Sequence, residues 1–187
     1  MFEKIKEYRK LTREIRAVSQ TPCDRDGRHT VKINVSDDSD FLSPFSADAT
    51  PFIAGETAAF IDQSVKHLRP GVPLNLEIVG GCIDSEERIT YEQAIRNYYH
   101  AEFIEAVRDI RKNTVQTVIM TAIAAIIFTL AVVLDAHGAE SVLLNMIDVV
   151  AWVFMWEAAD IFVFQRSVLR LKRLRAFGII RSKITFS

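Results

Sequence analysis

Residues 142–164 read VLLNMIDVVAWVFMWEAADIFVF, an apolar run of 23 residues interrupted by Asp148, Glu157 and Asp160. About 20 predominantly apolar residues cross a hydrocarbon core of about 30 Å, so this run is long enough to span a bilayer. An ionisable side chain at that depth is costly, which makes each of the three acids a functional candidate. A second run lies just upstream. Residues 113–134 read NTVQTVIMTAIAAIIFTLAVVL, 22 residues without a charge. Both runs lie far from the N-terminus, and the first ten residues are charged, so neither reads as a signal peptide. The expectation is two transmembrane helices joined as a hairpin. The alternative is a buried hairpin in a soluble bundle, since periodicity alone does not separate the two.

Charge orients the hairpin. Apolar residues make up 49% of the 187-residue chain and charged residues 25%, and the net charge is −1. That balance hides a split. Arg166, Arg170, Lys172, Arg173, Arg175, Arg181 and Lys183 follow the second run with no acid among them. Arg108, Arg111 and Lys112 precede the first run, whereas the link at 135–141 holds Asp135, His137 and Glu140 and no Lys or Arg. The positive-inside rule then places both termini in the cytoplasm. Cys23 and Cys82 would lie in a reducing compartment, and neither has a CxxC partner.

The part before the membrane is enough for one small domain at 1–112. Ile5, Tyr8, Leu11, Ile15 and Val18 recur at helical steps, so 2–18 reads as an amphipathic helix. Alternation at Val31, Ile33 and Val35 predicts a strand over 30–35, and Leu74, Leu76 and Ile78 predict a second that Gly80-Gly81 ends. Between them, 36–49 is a Ser- and Asp-rich loop and 52–68 a helix with Pro51 as its first residue and Arg69-Pro70-Gly71 as its stop. Asp84 or Ser85 caps a third helix, with Glu87 near the reciprocal position, and no Gly or Pro separates that helix from the first run. The fold class is therefore α+β: a small α/β domain with a two- or three-stranded sheet, a transmembrane hairpin at 113–165, and a basic tail at 166–187. Two strands make a poor sheet. A third strand from the β-formers of 179–186, or a strand from another subunit, would complete it.

Helical phase divides the three acids. At 100° per residue, Glu157 and Asp160 share a face, while Asp148, nine residues before Glu157, lies half a turn away beside Asn145 and Trp152. One hairpin in lipid cannot hide both faces, which argues for a homo-oligomer. Glu157 and Asp160 are the candidates for a cation pathway, since acidic rings select cations. Their bland reading is bonding to neighbouring helices or to basic residues at the membrane surface. Asp148 and Asn145 are candidates for polar contacts between helices, with Thr117 and Thr121, whose four-residue spacing suits close helix packing. Arg108, Arg111, Lys112, Arg166, Arg170, Lys172, Arg173 and Arg175 meet at the cytoplasmic surface. There they suit membrane lipid headgroups or an anion sensor for a nucleotide or oligonucleotide. Calcium at Asp37, Asp38 and Asp40 lacks the EF-hand glycine and terminal Glu. The scattered His29, His67, His100 and His137 form no catalytic motif, so the expectation is a non-enzyme without cofactor or metal.

The segment DVVAWVFMWEAAD, residues 148–160, resembles a W-x-F-x-W-E-A-x-D motif of uncharacterised bacterial two-transmembrane proteins. The likeness extends upstream to the helix of Tyr98-Tyr99 and to residues 36–45. It implies a small cytoplasmic α/β region followed by two helices in the cytoplasmic (inner) membrane of a bacterium. The architecture is also similar to membrane channel effectors of bacterial anti-phage defence systems, some paired with a nucleotidyltransferase. That similarity implies an oligomeric ion channel, gated by its cytoplasmic domain, that depolarises the membrane. The rival reading is a non-conducting membrane anchor or scaffold that presents the α/β domain to a cytoplasmic partner.

Overall fold

The computed structural model describes residues 26–35, 40–47, 49–68, 70–81 and 83–187. The expected helix at 2–18, Cys23, Cys82 and the Asp37–Asp38 pair lie outside the described residues. The chain forms two compact units. One comprises the part up to Ala101 together with Leu174–Ser187; the other is Glu102–Arg173.

The first unit is built on a parallel sheet of three strands, β1 (His29–Asn34), β2 (Leu74–Val79) and β3 (Lys183–Phe186), in the order β1-β2-β3. The third strand does come from the C-terminal residues. It pairs with β2 from Asn75↔Lys183 to Ile78↔Phe186, while β1 pairs with β2 from His29↔Leu74 to Asn34↔Val79. Strand β2 is the central one, and parallel strands need cover on both faces. Accordingly Leu76 and Ile78 are fully buried, as is most of β2. Even Asn75 is buried, and its carbonyl accepts a hydrogen bond from the Thr185 hydroxyl of β3 at 3.4 Å. Lys32 and Glu77 stand opposite each other on β1 and β2 and form an ion pair at 3.2 Å.

Helix α1 (Gly55–Val65) connects β1 to β2 and buries Ala58, Ile61 and Val65, one stripe at helical spacing. It starts later than the sequence suggests, and Pro51 is not its first residue. The Leu42↔Ile53 bridge, with Ala54 N–H donating to the Phe41 carbonyl at 2.9 Å, holds the chain extended until Ala54. The helix ends at Val65, and the chain turns through Gly71, whose φ of +92° favours glycine.

Helix α2 (Ser85–Ala136) is one unbroken rod of 52 residues. Its start carries one half of a capping box: the Glu87 carboxylate accepts from the Asp84 N–H at 2.8 Å. Tyr91, Ala94, Ile95 and Tyr99 bury its first stripe, and Phe41 stacks on Tyr91 with ring centroids 4.5 Å apart. The Tyr99 hydroxyl donates to Asp62 Oδ1 at 3.0 Å, with the Ala58 carbonyl at 3.3 Å as its alternative acceptor. Both contacts fasten α2 to α1. Helix α3 (Ser141–Asp160) follows a turn at Gly138, whose φ is +79°. A single π-helical turn (Ile161–Gln165) then leads into α4 (Arg166–Ile180). The basic segment after residue 165 is therefore not a simple tail, but a helix that returns the chain to the sheet. Arg96 caps the end of α4 by donating from Nη1 to the Ile180 carbonyl while its other nitrogens bind Glu92. A cation at a helix C-terminus is favoured by the helix dipole.

Among the described residues one helix, α2, is long and apolar enough to cross a membrane on length and composition. Helix α3, with Asp148, Glu157 and Asp160 inside it, does not stand with α2 on that measure.

Gly80 has a packing role beyond ending β2. A Cβ there would lie 2.8 Å from the Val35 carbonyl oxygen, closer than real contacts allow, and 3.3 Å from the Val35 Cβ. The backbone at both strand ends must then move apart. Gly80→Ala is expected to destabilise the chain by about 1–3 kcal/mol, read as a lower midpoint in denaturant. An unchanged midpoint would show that the strand ends part without cost.

Candidate functional site

The apolar helices carry the candidate carboxylates in three different states. Asp148 is exposed and lines a shallow depression of about 350 Å³ with Ala131, Asp135, Leu144 and Asn145. The structure therefore brings Asn145 and Asp148 together, as their three-residue spacing implies, and adds Asp135 from the end of α2. The sequence signal for Asp135 was its place at the edge of the apolar run, but only the turn at Gly138 sets it beside Asp148. Neither the Asp148 nor the Asn145 side chain makes a hydrogen bond or ion pair among the described residues. Glu157 is exposed, and among the described residues it too has no partner. Asp160 differs. It is half-buried and accepts from Gln165 Nε2 at 3.4 Å. The intervening π turn explains this contact, because its i→i+5 closure sets residue 165 above residue 160. Asp160 thus bonds within its own segment, and no ion pair joins it to Arg166 among the described residues.

The threonines have local partners. Thr117 Oγ1 donates to the Asn113 carbonyl at 2.8 Å and Thr121 Oγ1 to the Thr117 carbonyl at 2.9 Å. Thr114 and Thr129 do likewise, at 2.8 Å each. These hydroxyls bond back to their own helix and not to another. In an apolar stretch the i−4 carbonyl is the nearest acceptor, and threonine reaches it without leaving a preferred rotamer.

Small side chains mark where α2 and α3 are covered. Ala124 and Ala131 on α2 and Ala151 and Ala158 on α3 are buried, each pair seven residues apart. Phe128 meets Trp152 edge to face, with centroids 6.4 Å apart. Trp156 points elsewhere and is 74% exposed, as are many of the surrounding Val, Leu and Phe side chains. Exposed apolar area on this scale requires an apolar surrounding or a partner.

The basic residues divide by partner. Arg108, Arg111 and Lys112 are exposed on α2 and have no ion pair among the described residues. Arg166 lies over the Phe162 ring at 5.2 Å, Arg170 is exposed, and Arg173 and Arg175 are half-buried. Lys172 is engaged instead by Glu102 at 2.9 Å and Glu105 at 3.2 Å, which joins α4 to α2. The hydrogen bond that Lys172 donates to Glu102, with Glu105 beside it, raises the Lys172 pKa above the ordinary lysine value despite some desolvation. Composition alone groups Lys172 with the other cations of the basic segment; its partners Glu102 and Glu105 lie some seventy residues earlier.

That pairing sets a pH dependence. A cation whose folded pKa is raised contributes stability that is complete below its unfolded value, near 10.4, and is lost as pH rises through the raised value. Lys172 is partly exposed, so the pair contributes about 1 kcal/mol or less. Lys172→Met is expected to lower thermal stability slightly at neutral pH and to remove part of the decline above pH ~10. Equal melting curves across the alkaline range would contradict this.

Among the described residues no three His, Cys, Asp or Glu side chains are grouped to hold a metal ion.

No family model, curated protein or solved structure matches the chain.

Proposed function

We propose that this protein is a homo-oligomeric membrane protein in which α2 and α3 form a transmembrane hairpin and Glu157 lines a cation pathway. The parallel pairing of β2 with β3 supports the hairpin. Those strands flank the whole α2–α3–α4 excursion, so a chain that leaves through the bilayer along α2 must come back to lay β3 beside β2. The number of crossings is even. Helix α3 is the segment available for the return, and the buried alanines and the Phe128–Trp152 contact suit an antiparallel pair. The cations at the α2 entry and along α4, against the acidic link at Asp135 and Glu140, orient both chain ends to the cytoplasm.

The observation that carries the oligomer and the pathway is the state of Asp148 and Glu157. Both are exposed, both lack partners among the described residues, and they lie half a turn apart on one helix. A carboxylate facing lipid is costly at either position. Packing copies around an axis hides one face between subunits and turns the other to a central water path. Asp148, beside Asn145, suits the subunit contact. Glu157, with no neighbour to neutralise it, suits the path. The α/β unit would then control opening. An effector that depolarises the cell is the role this architecture fits.

The test is purification of the full chain in detergent, measurement of its oligomeric mass, and reconstitution into liposomes for cation flux. An oligomer that passes monovalent cations supports the reading. A stable oligomer with no flux under any condition supports the scaffold reading instead, and a monomer in detergent removes the basis for both.

A further inference from the structure

Arg108, Arg111 and Lys112 are the exposed cations nearest the apolar run of α2. They line one shallow, open groove with Val115, Gln116, Ile119 and Met120. The steps of three and four residues place all seven on one face of the helix. At 1.5 Å per residue the groove runs about 18 Å along the axis. Its first third is cationic and the rest is apolar except for the Gln116 amide. No acid lines it. Glu102 and Glu105 hold Lys172, and Asp109, the acid nearest in sequence, is not among the lining residues.

Other contacts set the level of this groove. The Lys172–Glu105 ion pair and the Asn113–Gln165 hydrogen bond, at 3.5 Å, bracket α2 and α4 at two heights. Arg108, Arg111 and Lys112 lie between those heights on α2, and Arg166 and Arg170 lie between them on α4. Residues more than fifty positions apart thus form one belt of cations where the apolar part of α2 begins. On the membrane reading above, that level suits a phosphate headgroup and the apolar stripe beside it the first methylenes of an acyl chain.

We infer that this groove binds one anionic phospholipid, the headgroup phosphate held by Arg108, Arg111 and Lys112 and the acyl chain laid along Val115, Ile119 and Met120. The inference rests on the membrane reading above and adds a specific lipid class to it. Guanidinium groups suit phosphate because they donate two parallel hydrogen bonds. Charge complementarity selects an anionic lipid over a zwitterionic one. The apolar stripe selects a lipid over free phosphate.

The experiment uses the full chain in neutral detergent. It is titrated separately with phosphatidylglycerol, phosphatidylcholine and inorganic phosphate, and the lipid retained per chain is counted by mass spectrometry. Phosphatidylglycerol is expected to be retained at concentrations where phosphatidylcholine is not, and phosphate is expected not to displace it. A basic side chain near an anionic surface contributes about fivefold in affinity, so R108Q/R111Q/K112Q is expected to weaken retention by about a hundredfold. R108K/R111K/K112R is expected to recover most of it. R170Q, on the other side of the belt, is expected to change it by no more than about fivefold. Equal retention of the two lipids overturns the inference, as does an R170Q loss as large as that of the triple variant. Insertion into phosphatidylcholine vesicles separates the two failures. If the chain inserts there without preferring phosphatidylglycerol, only the lipid site is lost. If it inserts into neither kind of vesicle, the membrane reading falls as well.

Discussion

Glu157→Gln is expected to leave the oligomer intact and to reduce monovalent cation flux at least tenfold. The side chain keeps its size and its capacity to hydrogen-bond, so packing around it is preserved. What is lost is one negative charge per subunit. At about 5 Å and an effective dielectric of ~20, a unit charge contributes roughly 3 kcal/mol to a passing cation, which is more than the 1.4 kcal/mol that changes a rate tenfold. Glu157→Ala is expected to act in the same direction. Asp148→Asn provides the contrast: reduced oligomer stability on dilution with unchanged ion selectivity. Asp160→Asn is expected to do less than either, because Asp160 already has Gln165 as its partner. Unchanged conductance and selectivity in both Glu157 variants would falsify the assignment of the pathway to this face.

Deleting residues 183–187 is expected to destabilise the α/β unit by about 3–5 kcal/mol, a large share of the roughly 5–15 kcal/mol that holds a domain folded. The deletion removes the whole of β3 and its pairing with β2. It also removes Thr185, which donates to the buried Asn75, and Ser187, whose N–H donates to the Ile78 carbonyl at 3.0 Å. Several hydrogen-bonding groups of the central strand are then buried without partners or opened to water, at about 1–3 kcal/mol for each one left buried. Phe186 goes too, and with it the ring that Arg88 covers at 5.8 Å. The measurement is hydrogen exchange of the β2 peptide in the full-length and shortened chains. Exchange is expected to become faster by two orders of magnitude or more. Equal protection would mean that β1 and the helices hold β2 without its second neighbour.

These two expectations rest on different kinds of legibility. The acids of α3 stood out in the sequence because charge is rare in an apolar run, and their angular separation follows from helical phase alone. Their partners did not. Gln165 reaches Asp160 only because a π turn intervenes, and nothing in the composition of 161–165 announces one. Thr117 and Thr121 had the spacing of a helix-packing stripe, yet their hydroxyls bond back to α2, since a local acceptor is always within reach. The start of α1 was misplaced because Pro51 is a good first helical residue, whereas a non-local bridge to Leu42 keeps it extended.

Local periodicity by itself determined that β1 and β2 are strands, that α2 continues from its cap at Asp84 without a break, and that the apolar residues are concentrated in two adjacent runs. Each of these depends on neighbours within a few residues, where side-chain spacing and backbone preference agree. Only the tertiary structure decided the strand order, the place of β3 beside β2, and the engagement of Lys172 by Glu102 and Glu105. Those depend on which surfaces meet after some hundred intervening residues. That outcome is set by burial of β2 on both faces and by satisfaction of its hydrogen bonds, and no local pattern records it.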